Sequence, residues 1–176
     1  MIYSDGAGAV VVESTNLEGG ILANETATYA FDEAHYIYFG ESNNQDSNSK
    51  RRYIKMNGRK IYEFAITNVP AAMKSCLDAS GIDIKNLKKI LINQANEKMD
   101  EAIVQRFFKL YNMDMPKGIM PMTITQLGNS SVATIPTLFD RILKGELENQ
   151  SISKGDVIMF ASVGAGMNIN AIVYQV

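Results

Sequence analysis

The chain has 176 residues, 46% hydrophobic and 20% charged, with a formal net charge of −2. A chain of this length buries about 70% of its unfolded surface in one domain, and its slight acidity excludes the basic excess of a dedicated nucleic-acid binder. One cysteine and one histidine leave no intrachain disulfide and no zinc-ligand spacing, so no metal is expected and a reducing cytoplasm is the expected setting.

No apolar run approaches the roughly 20 residues of a membrane span. The opening, Met1-Ile2-Tyr3-Ser4-Asp5, lacks the basic start and apolar segment of a signal peptide. It runs almost at once into Asp5-Gly6-Ala7-Gly8-Ala9 and reads as the interior of a longer protein. Val10-Val11-Val12 is expected as a buried strand. The glycines before it are read as small residues for close strand packing, because a dinucleotide fingerprint places its glycines after the strand. Gly19-Gly20 marks a turn, and residues 21–31 a second strand or strand pair. Residues 40–52, rich in Asn, Ser and Gln and ending in Lys50-Arg51-Arg52, read as a polar loop, either solvated or used for docking.

Asn57 is placed to cap a long helix over residues 58–80. Ile61, Phe64, Ala65, Val69, Ala72, Met73, Cys76 and Leu77 recur at helical spacing on one face. Pro70 is expected to kink this helix and Gly81 to end it. Cys76 falls on the apolar face and reads as core rather than as a nucleophile.

A strand over 87–92 then stops at Asn93-Gln94-Ala95-Asn96. Asn96 can cap the helix that follows, with Glu97, Asp100 and Glu101 in its first turn and Met99, Ile103, Phe107 and Leu110 inward. The same grammar repeats: a strand over 120–125, the turn Gly128-Asn129-Ser130-Ser131, and a helix with Val132, Ile135, Leu138, Phe139, Ile142 and Leu143 inward, closed by Gly145. Lys154-Gly155-Asp156 turns the chain into a strand over 157–162. Gly164-Ala165-Gly166 connects it to a strand over 167–174, an antiparallel hairpin. The pattern gives an α/β domain spanning residues 1–176, with a layered mixed sheet flanked by helices. Strand-to-helix turns are where such domains expose donors to ligands. Asn93 and Asn129 are therefore either paired site residues or simply turn and cap residues.

Five motifs in this order resemble the C-terminal half of β-ketoacyl-acyl-carrier-protein synthase III, a thiolase-fold condensing enzyme. They are Asp-Gly-Ala-Gly-Ala-Val-Val (5–11), Asn-Gln-Ala-Asn (93–96), Gly-Asn-Ser-Ser (128–131), Lys-Gly-Asp (154–156) and Gly-Ala-Gly (164–166). The similarity spans essentially the whole chain, with the active-site motifs in residues 88–176. It implies acyl transfer from acyl-CoA to a cysteine, then decarboxylative attack by malonyl on acyl carrier protein. The family is usually a homodimer, and its cysteine belongs to an N-terminal half that is absent here. No bound cofactor is implied; coenzyme A and carrier-protein thioesters are substrates.

The resemblance makes Asn129 the family's asparagine and puts Asn93 where the family has a histidine. It places Lys98 where a basic residue helps dock the acidic carrier protein, and Gly164 and Gly166 in a loop lining the active site. An amide at position 93 still donates a hydrogen bond but cannot titrate. The oxyanion site is then weakened and proton handling lost, which favours acyl transfer to an alcohol or amine over decarboxylative condensation. The competing expectation is a noncatalytic homologue that binds a carrier protein or a subunit. A stand-alone hydrolase is disfavoured, because His35 has no partner set and no nucleophile-elbow pattern occurs.

Overall fold

The computed structural model describes residues 3–44, 46, 48 and 50–176. Met1, Ile2 and three positions of the 40–52 loop, Gln45, Ser47 and Ser49, lie outside the described residues. The chain runs through strands β1 (Gly20–Thr28), β2 (Ile37–Gly40) and β3 (Tyr53–Met56) into helix α1 (Gly58–Ser80). Strand β4 (Leu87–Ile92), helices α2 (Glu97–Lys109), α3 (Ile124–Leu127) and α4 (Thr134–Leu143), and strands β5 (Val157–Gly164) and β6 (Asn168–Gln175) follow.

The main sheet has the order β1-β6-β5-β4. Strand β4 runs parallel to β5, while β5-β6 and β6-β1 are antiparallel. The mixed sheet and the closing hairpin are thus as expected. Alternation along β4 decides the layers: Ile90 and Ile92 join the cluster that contains α1 and α2 side chains, whereas Leu91 packs with Leu138 and Ile142 of α4. On the α4 side, Phe139, Phe160 and Tyr174 meet ring to ring, with centroids 5.4 to 6.2 Å apart.

Helix α1 begins where Asn57 Oδ1 accepts the Lys60 N–H at 3.4 Å. It ends at Gly81, whose φ of +71° is left-handed. The helix continues through Pro70. Pro70 has no N–H to give the Ile66 carbonyl four residues back, and Arg106 of α2 donates to that oxygen at 3.3 Å. Cys76 is fully buried, and its Sγ approaches the Ala171 carbonyl at 3.4 Å.

Three expectations are corrected. Val10, Val11 and Val12 are 75%, 95% and 77% exposed and form no strand, because no neighbouring strand pairs with them. The glycines before them do serve close packing, but not against a strand: a Cβ on Gly6 would stand 2.7 Å from Ser130 Cβ, and one on Gly8 2.3 Å from Pro136 Cγ of α4. Residues 120–123 are not a strand; the segment beside β4 gives it a single backbone bond, Ile90 N–H to the Ile119 carbonyl at 2.8 Å, and α3 begins at Ile124. Finally, Leu110, Val132 and Leu143 are 46%, 89% and 50% exposed. Leu110 caps the end of α2, Val132 lies in a short 3-10 turn before α4, and Leu143 lies at the last position of α4.

Candidate active site

Asn93 follows directly on the buried end of β4, and its own N–H still belongs to the sheet, donating to the Ala161 carbonyl at 3.1 Å. Its Oδ1 accepts the Val163 N–H at 3.2 Å. That bond decides the amide orientation, since only the oxygen can accept from an N–H. Nδ2 is thereby left with no hydrogen-bond partner among the described residues, a donor held by its other end. The bond also ties Asn93 to the residue before Gly164, so the 93–96 turn and the 164–166 connection lie side by side. Gly164 is exposed and unhindered. Gly166 has a φ of +75°, and a Cβ there would come 3.0 Å from the Asn168 amide nitrogen, so this tight connection requires glycine.

Asn129 repeats the arrangement. Its Oδ1 accepts the Ser131 N–H at 2.8 Å, its carbonyl accepts the Ser4 N–H at 3.0 Å, and its Nδ2 makes no hydrogen bond among the described residues. Asn129 is 8% exposed. Tyr3 pairs with it as an isolated parallel bridge.

Two buried polar residues hold the first turn, and one of them, Gln94, also reaches the segment that leads to the second. Gln94 is fully buried. Its Nε2 donates to the Ile92 carbonyl at 3.2 Å and approaches Met122 Sδ at 3.4 Å, while its Oε1 accepts the Thr123 N–H at 2.7 Å. It thus clips the 93–96 turn to the segment that leads through α3 to Gly128. Asp100, also fully buried, accepts the Asn96 N–H through Oδ2 at 3.3 Å. Asn96 caps α2 by accepting the Met99 N–H at 3.3 Å.

Burial, with Glu97 as a like-charged neighbour, pushes the Asp100 carboxyl up to about 8, although the nearby backbone N–H groups of Asn96 and Ala95 pull it down. The sequence did carry a signal for it. Asp100, Val104 and Phe108 share a helical stripe with the buried Ile103 and Phe107, and an acid in such a stripe is unusual.

Lys98 is exposed in the first turn of α2 and forms no ion pair among the described residues. Lys154-Gly155-Asp156 is a clamp on the chain end: the Gly155 N–H donates to the Val176 carbonyl at 2.7 Å, and the Val176 N–H to the Asp156 carbonyl at 3.0 Å. His35 is exposed in a 3-10 turn, Asp32–His35, before β2. Among the described residues no cluster of His, Cys, Asp and Glu could hold a metal, and no helix is long and apolar enough to cross a membrane. The surface depressions of about 450 and 510 Å³ are lined by other residues, the larger by Asp78, Tyr111 and Met113.

Residues 77–176 match the family model described as 3-oxoacyl-[acyl-carrier-protein (ACP)] synthase III C terminal. The β-ketoacyl-[acyl-carrier-protein] synthase III of Porphyra umbilicalis is 30% identical over 99% of this chain and 52% of its own length. That of Lactobacillus helveticus is 26% identical, again over 99% of this chain and 52% of its own length. Among solved structures, the synthase III of Thermus thermophilus superposes with a TM-score of 0.75 at 22% identity, over 94% of this chain and 49% of that one. The Aquifex aeolicus enzyme gives 0.72 at 21%, over 93% and 46%. The chain spans about half the length of the curated relatives it matches, and the fold it shares with the solved enzymes is thiolase-like.

Proposed function

This chain belongs to the 3-oxoacyl-[acyl-carrier-protein] synthase III C-terminal family, and we propose from that premise that it forms the oxyanion side of an acyltransferase acting on acyl-CoA and acyl-carrier-protein thioesters. One observation carries the reading: Asn93 and Asn129 each have Oδ1 fixed by a backbone N–H, which leaves Nδ2 as a held, unspent donor. Negative charge that builds on a thioester oxygen is stabilised by donors already in place, because nothing must reorganise as the charge appears. In this reading the two Nδ2 groups face one oxygen, and the 164–166 connection beside Asn93 bounds the space around it. Lys98 offers a positive charge to the acidic carrier protein. The nucleophilic cysteine comes from a segment outside this chain, and the working assembly is cytoplasmic and oligomeric.

Asn93 defines the chemistry. An amide donates but neither takes up nor releases a proton, so acyl transfer to an alcohol or amine is favoured over efficient decarboxylative condensation. The test joins a cysteine-bearing synthase III segment ahead of residue 1 and measures acyl loading by intact mass and CO₂ release from a malonyl thioester. Asn93→His is expected to raise CO₂ release more than loading. Asn129→Ala is expected to lower CO₂ release by about 10²-fold, as loss of an oxyanion donor does, with either residue at 93. Equal effects on both steps, or none from Asn129→Ala, would return both asparagines to turn residues. Carrier-protein binding without turnover in any variant would instead favour a noncatalytic module.

A further inference from the structure

The core-facing stripe of α2 contains one ionisable side chain. Asp100 is four residues after Asn96 and four before Val104, so helical geometry buries it with its apolar neighbours. Oδ2 accepts the Asn96 N–H, but Oδ1 is buried without any hydrogen-bond partner. Among the described residues no lysine or arginine pairs with it, and the charged group acting on it is Glu97 of the same helix. Its own N–H donates to the Asn96 carbonyl at 2.8 Å, so Asp100 grips Asn96 through both main chain and side chain. One step further back, the Ala95 N–H donates to the Asn93 carbonyl at 2.8 Å. The chain of bonds from the buried carboxyl ends at the residue that presents Nδ2.

Two effects compete over the charge of that carboxyl. The helix N-terminus favours an anion, but weakly and within one turn. Burial without a cation or a full set of donors opposes it more strongly. Burial wins, and it favours the neutral acid. Ionised, it would leave Oδ1 as a charged oxygen with no donor in an apolar layer. Only opening of the helix start to water relieves that state.

We propose that Asp100 is a positioning residue for Asn93: uncharged, it holds the 93–96 turn from beneath, and its ionisation loosens that turn and the donor the turn presents. The catalytic consequence rests on the reading of Asn93 as an oxyanion donor; the grip on the turn does not.

The test starts with the chain as it is. The Asp100 carboxyl carbon is followed by NMR through a pH titration while hydrogen exchange reports the amides of residues 93–96. The expected midpoint lies far above the ordinary carboxylate value of about 4. About one pH unit beyond that midpoint, protection at the Ala95 and Asn96 amides falls about tenfold after correction for base catalysis. Asp100→Asn keeps an acceptor for the Asn96 N–H and cannot ionise, so that fall is absent.

Joined to the cysteine-bearing segment, the parent loses CO₂ release by about tenfold over the same interval, Asp100→Asn stays flat, and acyl loading is unchanged by the substitution. An ordinary midpoint, or protection unaltered through the titration, overturns the proposal. Loosening of the turn with undiminished CO₂ release overturns the role for Asn93. Loosening with no CO₂ release in any form supports the grip on the turn and counts against the proposed function alone.

Discussion

The turns at residues 93–96 and 128–131 present the same side chain in the same way but are built from different material. The first joins a buried strand to a 13-residue helix and is anchored by two fully buried polar side chains, Gln94 and Asp100. The second lies between a four-residue helix and a three-residue 3-10 turn, with Ser131 at a φ of +56°. It is braced by a surface strap: Ser4 bonds the Asn129 carbonyl, and Gly6 and Gly8 lie against Ser130 and Pro136. One asparagine is therefore held by the core and the other by a segment that itself packs little. While Asp100 is uncharged, opening of the first should track global unfolding, whereas the second should open locally.

The largest expected effect sharpens this comparison through pH. The Asp100 carboxyl, ordinarily near 3.8, stands at about 8 in the folded chain. The native state thus holds a proton that the unfolded state has already released, so stability is full below the unfolded value. It falls as pH rises from about 4 toward 8 and levels off above that. A shift of this size sets a ceiling of about 6 kcal/mol, part of which relaxation and water entry return. Urea unfolding across this range should show the decline, and Asp100→Asn should flatten it. A parent that gains stability over the same range would show Asp100 to be charged when folded.

Gln94→Ala is expected to come next, at about 2–3 kcal/mol. It strands the buried Thr123 N–H and the Ile92 carbonyl and leaves a cavity. Because Gln94 bonds both segments, this change should also loosen residues 122–131. Hydrogen exchange confined to the 93–96 turn would break the link between the two turns.

Much of the fold was legible because local chemistry and burial agree there. The cap at Asn57, the left-handed Gly81, the α1 face with Cys76 inside and the β5-β6 hairpin all follow from periods and turn residues that tertiary packing did not override. Val10-Val11-Val12 misled because β-branched residues only fit a strand when another strand is present to pair with them, and here none is. Residues 120–125 misled in a related way: Met122 and Thr123 meet a glutamine side chain instead of a ladder. At the site, both asparagines were visible as turn residues, but the clamps on Oδ1 come from Val163 and Ser131 backbone N–H groups. Val163, 70 residues away, lies beyond the reach of any local pattern.

A smaller effect tests the strap. Gly8→Ala carries no backbone penalty, since the glycine does not use a left-handed conformation, but its Cβ would meet Pro136 Cγ at 2.3 Å. A proline ring cannot swing aside as a flexible side chain does, so the strap must lift. Global stability should change by less than about 1 kcal/mol, while the Ser131 amide loses protection and the Asn96 amide does not. Equal loss at both would mean that the two turns open together and that the strap belongs to the core.

The smallest expected effect is none at all, and it asks whether either turn matters for loading. Acyl transfer to a thiol needs the thiolate, accessible and activated by a base or a nearby positive charge. The chain's one cysteine, Cys76, is fully buried, its Sγ lies 3.4 Å from the Ala171 carbonyl, and burial raises its pKa, with nearby Glu25 adding to the effect. It also sits on α1, outside both turns. Incubating the chain with acetyl-CoA or a longer acyl-CoA and weighing the intact protein should show no adduct over hours, against full modification once the chain is unfolded and alkylated. A stoichiometric acyl group on Cys76 would show that this chain loads itself. The two asparagine turns would then have to be explained without a second, cysteine-bearing segment.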